Sequence, residues 1–399
     1  MKAQHDIDKP IRLTIVVPTR NRADLALRSL RSVLDGRGQQ VRVVVSDNSN
    51  DERHRCELAA GIAEIADARL TLIRPPSELP MTEHWQWALG QALADSSTSH
   101  VLFLTDRMAF KRDGLHALLA AVKHFPSDVV SYTYDRIDDA SHPVVFKPLP
   151  RSGAIYRMPS DRLLELSSRM VFYSCLPRML NCVVPRGILE SVQRTFGSVF
   201  DSVAPDFCFC YRVLATHPSI VYFDRSLLVN YAQDRSNGAS VSRGIATRDS
   251  RDFMTAVGKR LNASSPLAEP VTVGNAIVNE YCAVRSTTGG SRLPPLEWNA
   301  YLTFLGKELD AFRDPEARRL GQEILRRHGW NPAETRWTNE LRGMLVDAIV
   351  RLQRRRFPSL QAAFEFAVAR PGRDRAWLAR LVRRYGEPIA WGHALSDDR

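Results

Sequence analysis

Three short polar clusters hold the residues best suited to chemistry: Pro18-Thr-Arg-Asn-Arg22, Ser46-Asp-Asn-Ser-Asn-Asp51 and Thr105-Asp-Arg107. Asp47 can accept a hydrogen bond from a base N–H. Thr19 offers a hydroxyl, and Arg22 and Arg107 are cations that can meet phosphate oxygens in pairs. Asp206 follows Pro205 at a helix start, where a carboxylate can act as a general base or cap the helix. Arg235 and Asn237 belong to a segment, 234–244, whose glycines permit motion and whose arginines and hydroxyls can grip phosphate. Any one cluster alone reads as a polar loop. Several converging on one sheet edge make a site.

The elements that must position these residues alternate in kind. Leu13–Val17, Val41–Ser46, Leu70–Ile73, Val101–Leu104 and Val129–Tyr134 are short β-rich runs. Between them, Ala23–Leu34, Glu52–Ile65, a stretch capped by Thr82 with Trp85, Leu89 and Leu93 on one stripe, and Gly114–Phe125 have helical periodicity. This order predicts an α/β fold with a doubly wound, mostly parallel sheet, which binds ligands at the carboxyl ends of its strands. The polar clusters fall at such ends. Beyond about residue 260 strand signals fade. Leu341, Leu345, Ile349 and Leu352 recur at helical spacing, as do Leu360, Phe364 and 366–368, then Trp377, Leu381 and Tyr385. The pattern predicts two domains, 1–256 and a smaller all-helical 257–399, joined by a hinge in Asn262–Pro270.

Composition narrows the class. The chain of 399 residues has no apolar run long enough to span a bilayer, and its polar opening, Met1 to Ile11, lacks a secretory core. A cytoplasmic protein is the expectation. Six scattered cysteines, including the Cys208/Cys210 pair, form neither a disulfide framework nor a zinc set, so reduced thiols are expected. The net charge is +11, and between Arg342 and Arg384 eleven arginines face three acids, so the basicity is local to the C-terminal part. Without interleaved aromatic platforms this run does not point to nucleic acid. It suits either reversible contact with an anionic membrane surface or packing, against the N-terminal domain or in a homodimer.

The segments Thr14-Ile-Val-Val-Pro-Thr-Arg-Asn-Arg22 and Val44-Val-Ser-Asp-Asn-Ser49 together resemble the opening of family 2 glycosyltransferases of the GT-A fold. Met81 to Leu89 is similar to their "NW…AL" helix, with His84 where Asn is usual. Phe103-Leu-Thr-Asp106 resembles the strand entering their metal-binding DxD motif, Ala204-Pro-Asp-Phe207 the segment with their catalytic base, and Ser236-Asn-Gly-Ala-Ser240 their mobile loop. The likeness covers about residues 10–250. It implies an inverting hexosyltransferase of polysaccharide biosynthesis, acting on a nucleoside-diphosphate sugar, UDP-sugars favoured, and a glycan or lipid-linked acceptor. By this resemblance Asp47 meets the base and Asp206 is the general base, with Asp201 next in line. Pro18, Thr19, Arg22, His84, Asp106, Arg107, Arg235 and Asn237 surround the donor.

One departure matters. The family runs two or three Asp together and binds Mg²⁺ or Mn²⁺ on the last, whereas here Asp106 is followed by Arg107 and Met108, a degenerate DxD. Asp106 is the one carboxylate left as a ligand. Arg107 either replaces the metal at the leaving diphosphate or turns away, pairing with an acid such as Asp135 or Asp138. The degenerate motif also leaves open a non-catalytic, nucleotide-sugar-binding subunit.

Overall fold

The structure is a computed structural model, and it describes residues 11–34, 40–236, 263–332, 353–371, 374–383 and 385–390. Asn237 and the helix expected over 341–352 lie outside them.

The strands are β1 (Leu13–Thr19), β2 (Val41–Asp47), β3 (Leu70–Ile73), β4 (His100–Phe103), β5 (Met108–Phe110), β6 (Val130–Asp138), β7 (Val144–Lys147), β8 (Ile155–Pro159), β9 (Cys182–Pro185), β10 (Ser219–Asn230), β11 (Arg355–Phe357) and β12 (Glu387–Ile389). They form one sheet along the path β12-β8-β10-β6-β9-β4-β1-β2-β3. On that path β9 and β8 run against the rest, so most strands share one direction and their carboxyl ends form one edge. The helices preceding the C-terminal third are α1 (Ala23–Leu34), α2 (Glu52–Ile65), α3 (Met81–Ala94), α4 (Gly114–His124), α5 (Ser160–Ser168), α6 (Arg186–Phe196) and α7 (Pro205–Thr216).

Alternation along β1 builds two cores. Leu13, Ile15 and Val17 face α1 and α4, while Val16 faces α3, α6 and α7 on the other side of the sheet. These side chains are fully buried, and each such Ile or Leu contributes about 1.5–3 kcal/mol. Helices on both faces make the α/β class that the alternating pattern predicts. Thr82 differs from expectation. The chain enters α3 at Pro80 without a side-chain cap, and the Thr82 hydroxyl donates instead to the Ser202 carbonyl, 2.7 Å away.

The C-terminal third is mainly helical: α8 (Val273–Arg285), α9 (Trp298–Asp310), α10 (Pro315–Arg327), α11 (Leu360–Val368) and the single turn α12 (Ala379–Val382). It is not only helical, because β11 pairs with β7 and β12 with β8. Each is three residues long and carries charge or proline, the composition of strand edges, so neither leaves a sequence signal. Helix α8 joins the core of α7, with Tyr281 edge-on to Tyr211 at 5.1 Å. Helix α11 buries Ala363 and Ala367 against β7 and Tyr231. Within the stretch expected to act as a hinge, Ser264 N–H donates to Asn279 and the Leu267 carbonyl accepts from Asn275, tying this segment to α8. Among the described residues no helix is long and apolar enough to cross a membrane.

Candidate active site

The ends of β1 and β2 are neighbours, with Thr19 in register with Asp47 and Pro18 with Ser46. The turn after β1 contains Asn21 at φ 53°, a left-handed conformation that Asn tolerates. From there the Asn21 side chain accepts from the backbone N–H groups of Asn50 and Asp51, and the Asn21 backbone N–H donates to Ser49 Oγ. Asn48 clamps the loop before α3, donating to the Leu79 carbonyl and accepting from its N–H. Two strand ends and a loop are thus knitted into one rigid rim.

Asp47 lies at the centre of that rim, its side chain fully buried. Oδ1 accepts from Ser49 N–H at 3.0 Å and Oδ2 from Arg74 Nε at 3.0 Å. A carboxylate accepts about four hydrogen bonds, so capacity remains for a ligand N–H. Beneath it, His84 Nε2 meets Ser46 Oγ at 2.7 Å. Burial, opposed by Asp47, holds the His84 pKa down to about 4, so the ring is neutral at neutral pH. At 4% exposure and engaged with Ser46, His84 supports the strand end from beneath Asp47.

At the end of β4, Asp106 is buried. Thr19 Oγ1 donates to its Oδ2 at 3.1 Å, and Arg22 Nη1 lies 3.8 Å from its Oδ1. Arg107 pairs with neither acid suggested for it: Asp135 binds Lys111 at 2.6 Å and Asp138 binds Lys147 at 2.6 Å. Its Nε is buried without a hydrogen-bond partner. Burial lowers the Arg107 pKa, Asp106 opposes that and Arg22 adds to it, with the phenols of Tyr134 and Tyr231 also acting on it. A divalent cation held here would have to draw most of its oxygen ligands from the diphosphate and water. Asp106 is one carboxylate, already engaged by Thr19 and flanked by two guanidinium groups, and the described residues hold no cluster of three metal-ligating side chains.

Arg178 joins this edge from a different direction. It precedes β9, which runs antiparallel to β4 and β6, so its position falls at their carboxyl ends. Its Nη2 donates to the Tyr134 hydroxyl at 3.0 Å, and its guanidinium lies 5.4 Å from the Phe207 ring centre. Burial disfavours the Arg178 charge, but Tyr134 and Asp206 outweigh it and raise its pKa. Tyr134 responds in turn. Burial resists its ionisation, yet Arg178 and Arg136 bring its pKa down to about 8. Asp206, in the first turn of α7, is pushed up by burial against the pull of Arg178 and of the backbone N–H of Phe207. Asp106 thus acts electrostatically on Arg107, and the Arg178 that hydrogen-bonds Tyr134 acts on Asp206. Asp201 stands apart, its side chain 62% exposed and 3.4 Å from Arg212.

Arg235 forms two hydrogen bonds of 2.9 and 3.0 Å to Asp24 on the first turn of α1 and a third, of 3.3 Å, to the Asn21 carbonyl on the turn after β1. Sequence reasoning missed Arg74, Tyr134, Arg136 and Arg178. Arg74 follows β3 directly, so the strand-end rule that found Asp47 could have found it. Arg178 lies between elements, and no local pattern marks it.

Residues 14–175 match the model of glycosyl transferase family 2. The match spans less than half of the chain. No curated protein matches the sequence. Among solved structures the chain is similar to residues 1–349 of S. aureus TarS in complex with UDP-GlcNAc, at 15% identity and a TM-score of 0.45, covering 81% of this chain and 93% of that one. It is similar also to the same segment in complex with UDP, at 16% identity and a TM-score of 0.40, covering 79% and 86%.

Proposed function

We propose that this chain, which matches glycosyl transferase family 2 over residues 14–175 and has a mainly helical C-terminal part, is an inverting enzyme. It moves a sugar from a nucleoside-diphosphate sugar, most favourably a UDP-sugar, to a hydroxyl of a glycan or lipid-linked acceptor. The observation that carries the reading is the cluster at the strands' carboxyl ends: Arg22 Nη1 lies 3.8 Å from Asp106, and Arg178 bonds Tyr134 and sits 5.4 Å from the ring centre of Phe207, the residue after Asp206. It offers cations where a diphosphate departs and, at the far end, a carboxylate where a proton must be received.

In this reading Asp47 accepts the N3–H of uracil, and Arg22 and Arg107 meet the diphosphate. Asp206 takes the proton of the acceptor hydroxyl as its oxygen bonds to the anomeric carbon. The bond from that carbon to the diphosphate oxygen breaks, and the electron pair leaves with the nucleoside diphosphate. One displacement inverts the carbon. A carboxylate lifted by burial is a better base than an exposed one, and guanidinium groups already in place stabilise the departing charge without reorganisation. No step is assigned to a metal.

The test is turnover of UDP-glucose, UDP-galactose and UDP-N-acetylglucosamine, followed by UDP release, for the wild type and Asp206→Asn. Release that depends on Asp206 supports the reading. Tight UDP binding with no release from any donor, with or without acceptor glycans, points to a non-catalytic binding subunit instead.

A further inference from the structure

Helix α7, which presents Asp206, has no side-chain cap of its own, and the turn leading into it is held from a distance. Helices α2, α8, α10 and α11 begin under a local side chain: Asp51, Thr272, Asp314 and Ser359. The residue before α7 is Ala204, which has no side-chain cap to offer, and Pro205 has no N–H. The two amides just ahead of the helix are instead gathered by a carboxylate some 75 residues further along the chain. Glu280 Oε1, on α8, accepts from Val203 N–H at 3.0 Å and Ala204 N–H at 3.1 Å. Its neighbour Asn279 donates to Ser202 Oγ at 3.0 Å. Ser202 has φ 61°, a left-handed conformation that serine adopts at a cost, so this turn needs outside support. Thr82 of α3 supplies more of it through the Ser202 carbonyl.

Glu280 is fully buried, and its Oε2 makes no hydrogen bond. Burial raises its carboxyl to about 7 against the pull of the two amides. Such a group is a poor choice for stability alone. Its two bonds do fix the peptide planes from which α7 starts, two residues before Asp206.

We propose that Glu280 is a positioning residue for Asp206: the C-terminal helices reach under the turn at 201–204 and set the direction in which α7 presents the base. The inference rests on the reading of Asp206 as base. Displacing a catalytic group by about 1 Å costs on the order of 100-fold in rate, so a residue remote from the substrate can govern turnover.

Glu280→Ala and Glu280→Gln in the full chain test it, read as UDP release from the donor turned over fastest in the panel above. With Ala, kcat falls about 10–100-fold while KM for the donor stays unchanged. With Gln, whose amide oxygen can accept from both N–H groups, kcat returns to within about threefold of wild type. In an Asp206→Asn background Glu280→Ala costs nothing further, because the two residues act through one group. Wild-type kcat in Glu280→Ala, with Asp206→Asn impaired, overturns the inference, as does a full additional loss in the double variant. Near-wild-type turnover of Asp206→Asn itself marks a separate failure, that of the base assignment. Should Glu280→Ala fail to fold, Asn279→Ala loosens the same turn from Ser202. A lower kcat at unchanged KM then supports the proposal, and a lower Tm with wild-type kcat overturns it.

Discussion

The two ends of the site are built differently. Around Asp47 the pairing stays within one part of the chain: Asn21 with Ser49, Asn50 and Asp51, Asp47 with Ser49 and Arg74, and Asn48 with Leu79. Around Asp206 the participants are Asp106, Arg107, Tyr134, Arg178 and Glu280, gathered from distant parts of the sequence. There Arg107 Nε and Glu280 Oε2 stay buried without hydrogen bonds. An ordered rim with spare acceptor capacity on Asp47 suits recognition, since a ligand finds it already in place. Unused donors and shifted pKa values suit a place where charge appears only during reaction.

That contrast breaks most readily at Asp206. Asp206→Asn is expected to lower turnover about 10²–10⁴-fold while UDP affinity stays intact. Equal losses in turnover and in affinity, by kinetics and calorimetry, would merge the two ends into one. Next in size is Arg107→Ala, expected to lose about 10²–10³-fold in kcat, a loss that added Mn²⁺ leaves unrestored, while wild-type activity survives chelator. Activity abolished by chelator and recovered with Mg²⁺ or Mn²⁺ would return Asp106 to a ligand's role. At the recognition end, Asp47→Ala should weaken UDP binding by about 1–3 kcal/mol, with kcat at saturating donor little changed. Unchanged affinity in calorimetry removes Asp47 from the site.

A smaller effect tests the buried acid on α8. The Glu280 carboxyl is raised from 4.5 to about 7, so the folded state holds its proton more tightly than the unfolded chain. Its contribution is most favourable below about pH 4.5 and is lost as pH rises through about 7, a difference of at most about 3 kcal/mol. The groups facing it, Cys208 and Tyr211 on α7, have pKa values raised by burial and stay neutral across that window. Glu280→Gln should therefore flatten the fall in Tm between about pH 5 and about pH 8. An equally steep fall in the variant assigns that dependence to other groups. The smallest effect concerns Arg354, Arg355 and Arg356, all exposed. If this stretch touches membranes, binding to anionic vesicles should drop by about 1 kcal/mol per arginine when all three become Ser, and should fall with salt. No co-sedimentation at low salt leaves them solvated and dismisses the contact.

Legibility followed the same division. The strands and helices up to residue 138 are close to what periodicity predicts, because each buries a face whose pattern is written locally: Leu13, Ile15 and Val17 to one core, Val16 to the other. The strand-end rule then found Asp47 and Asp106. It failed for Arg178, which reaches the same edge only because β9 runs backwards between β4 and β6. Nor does any local pattern show that Arg235 pairs with Asp24, more than 200 residues away.

By itself the sequence determined the alternating α/β framework, the polar strand ends, and the departure from a metal-binding motif at Arg107, since these depend on residue type and spacing within a few turns. Tertiary structure alone decided that His84 supports the strand beneath Asp47 and that Arg107 escapes Asp135 and Asp138. It also decided that a helix from the C-terminal third holds the turn before Asp206. The reason is physical. Hydrophobic periodicity reports which face an element buries, whereas the partner of a buried charge is set by which chains the sheet order and helix packing bring within about 3 Å.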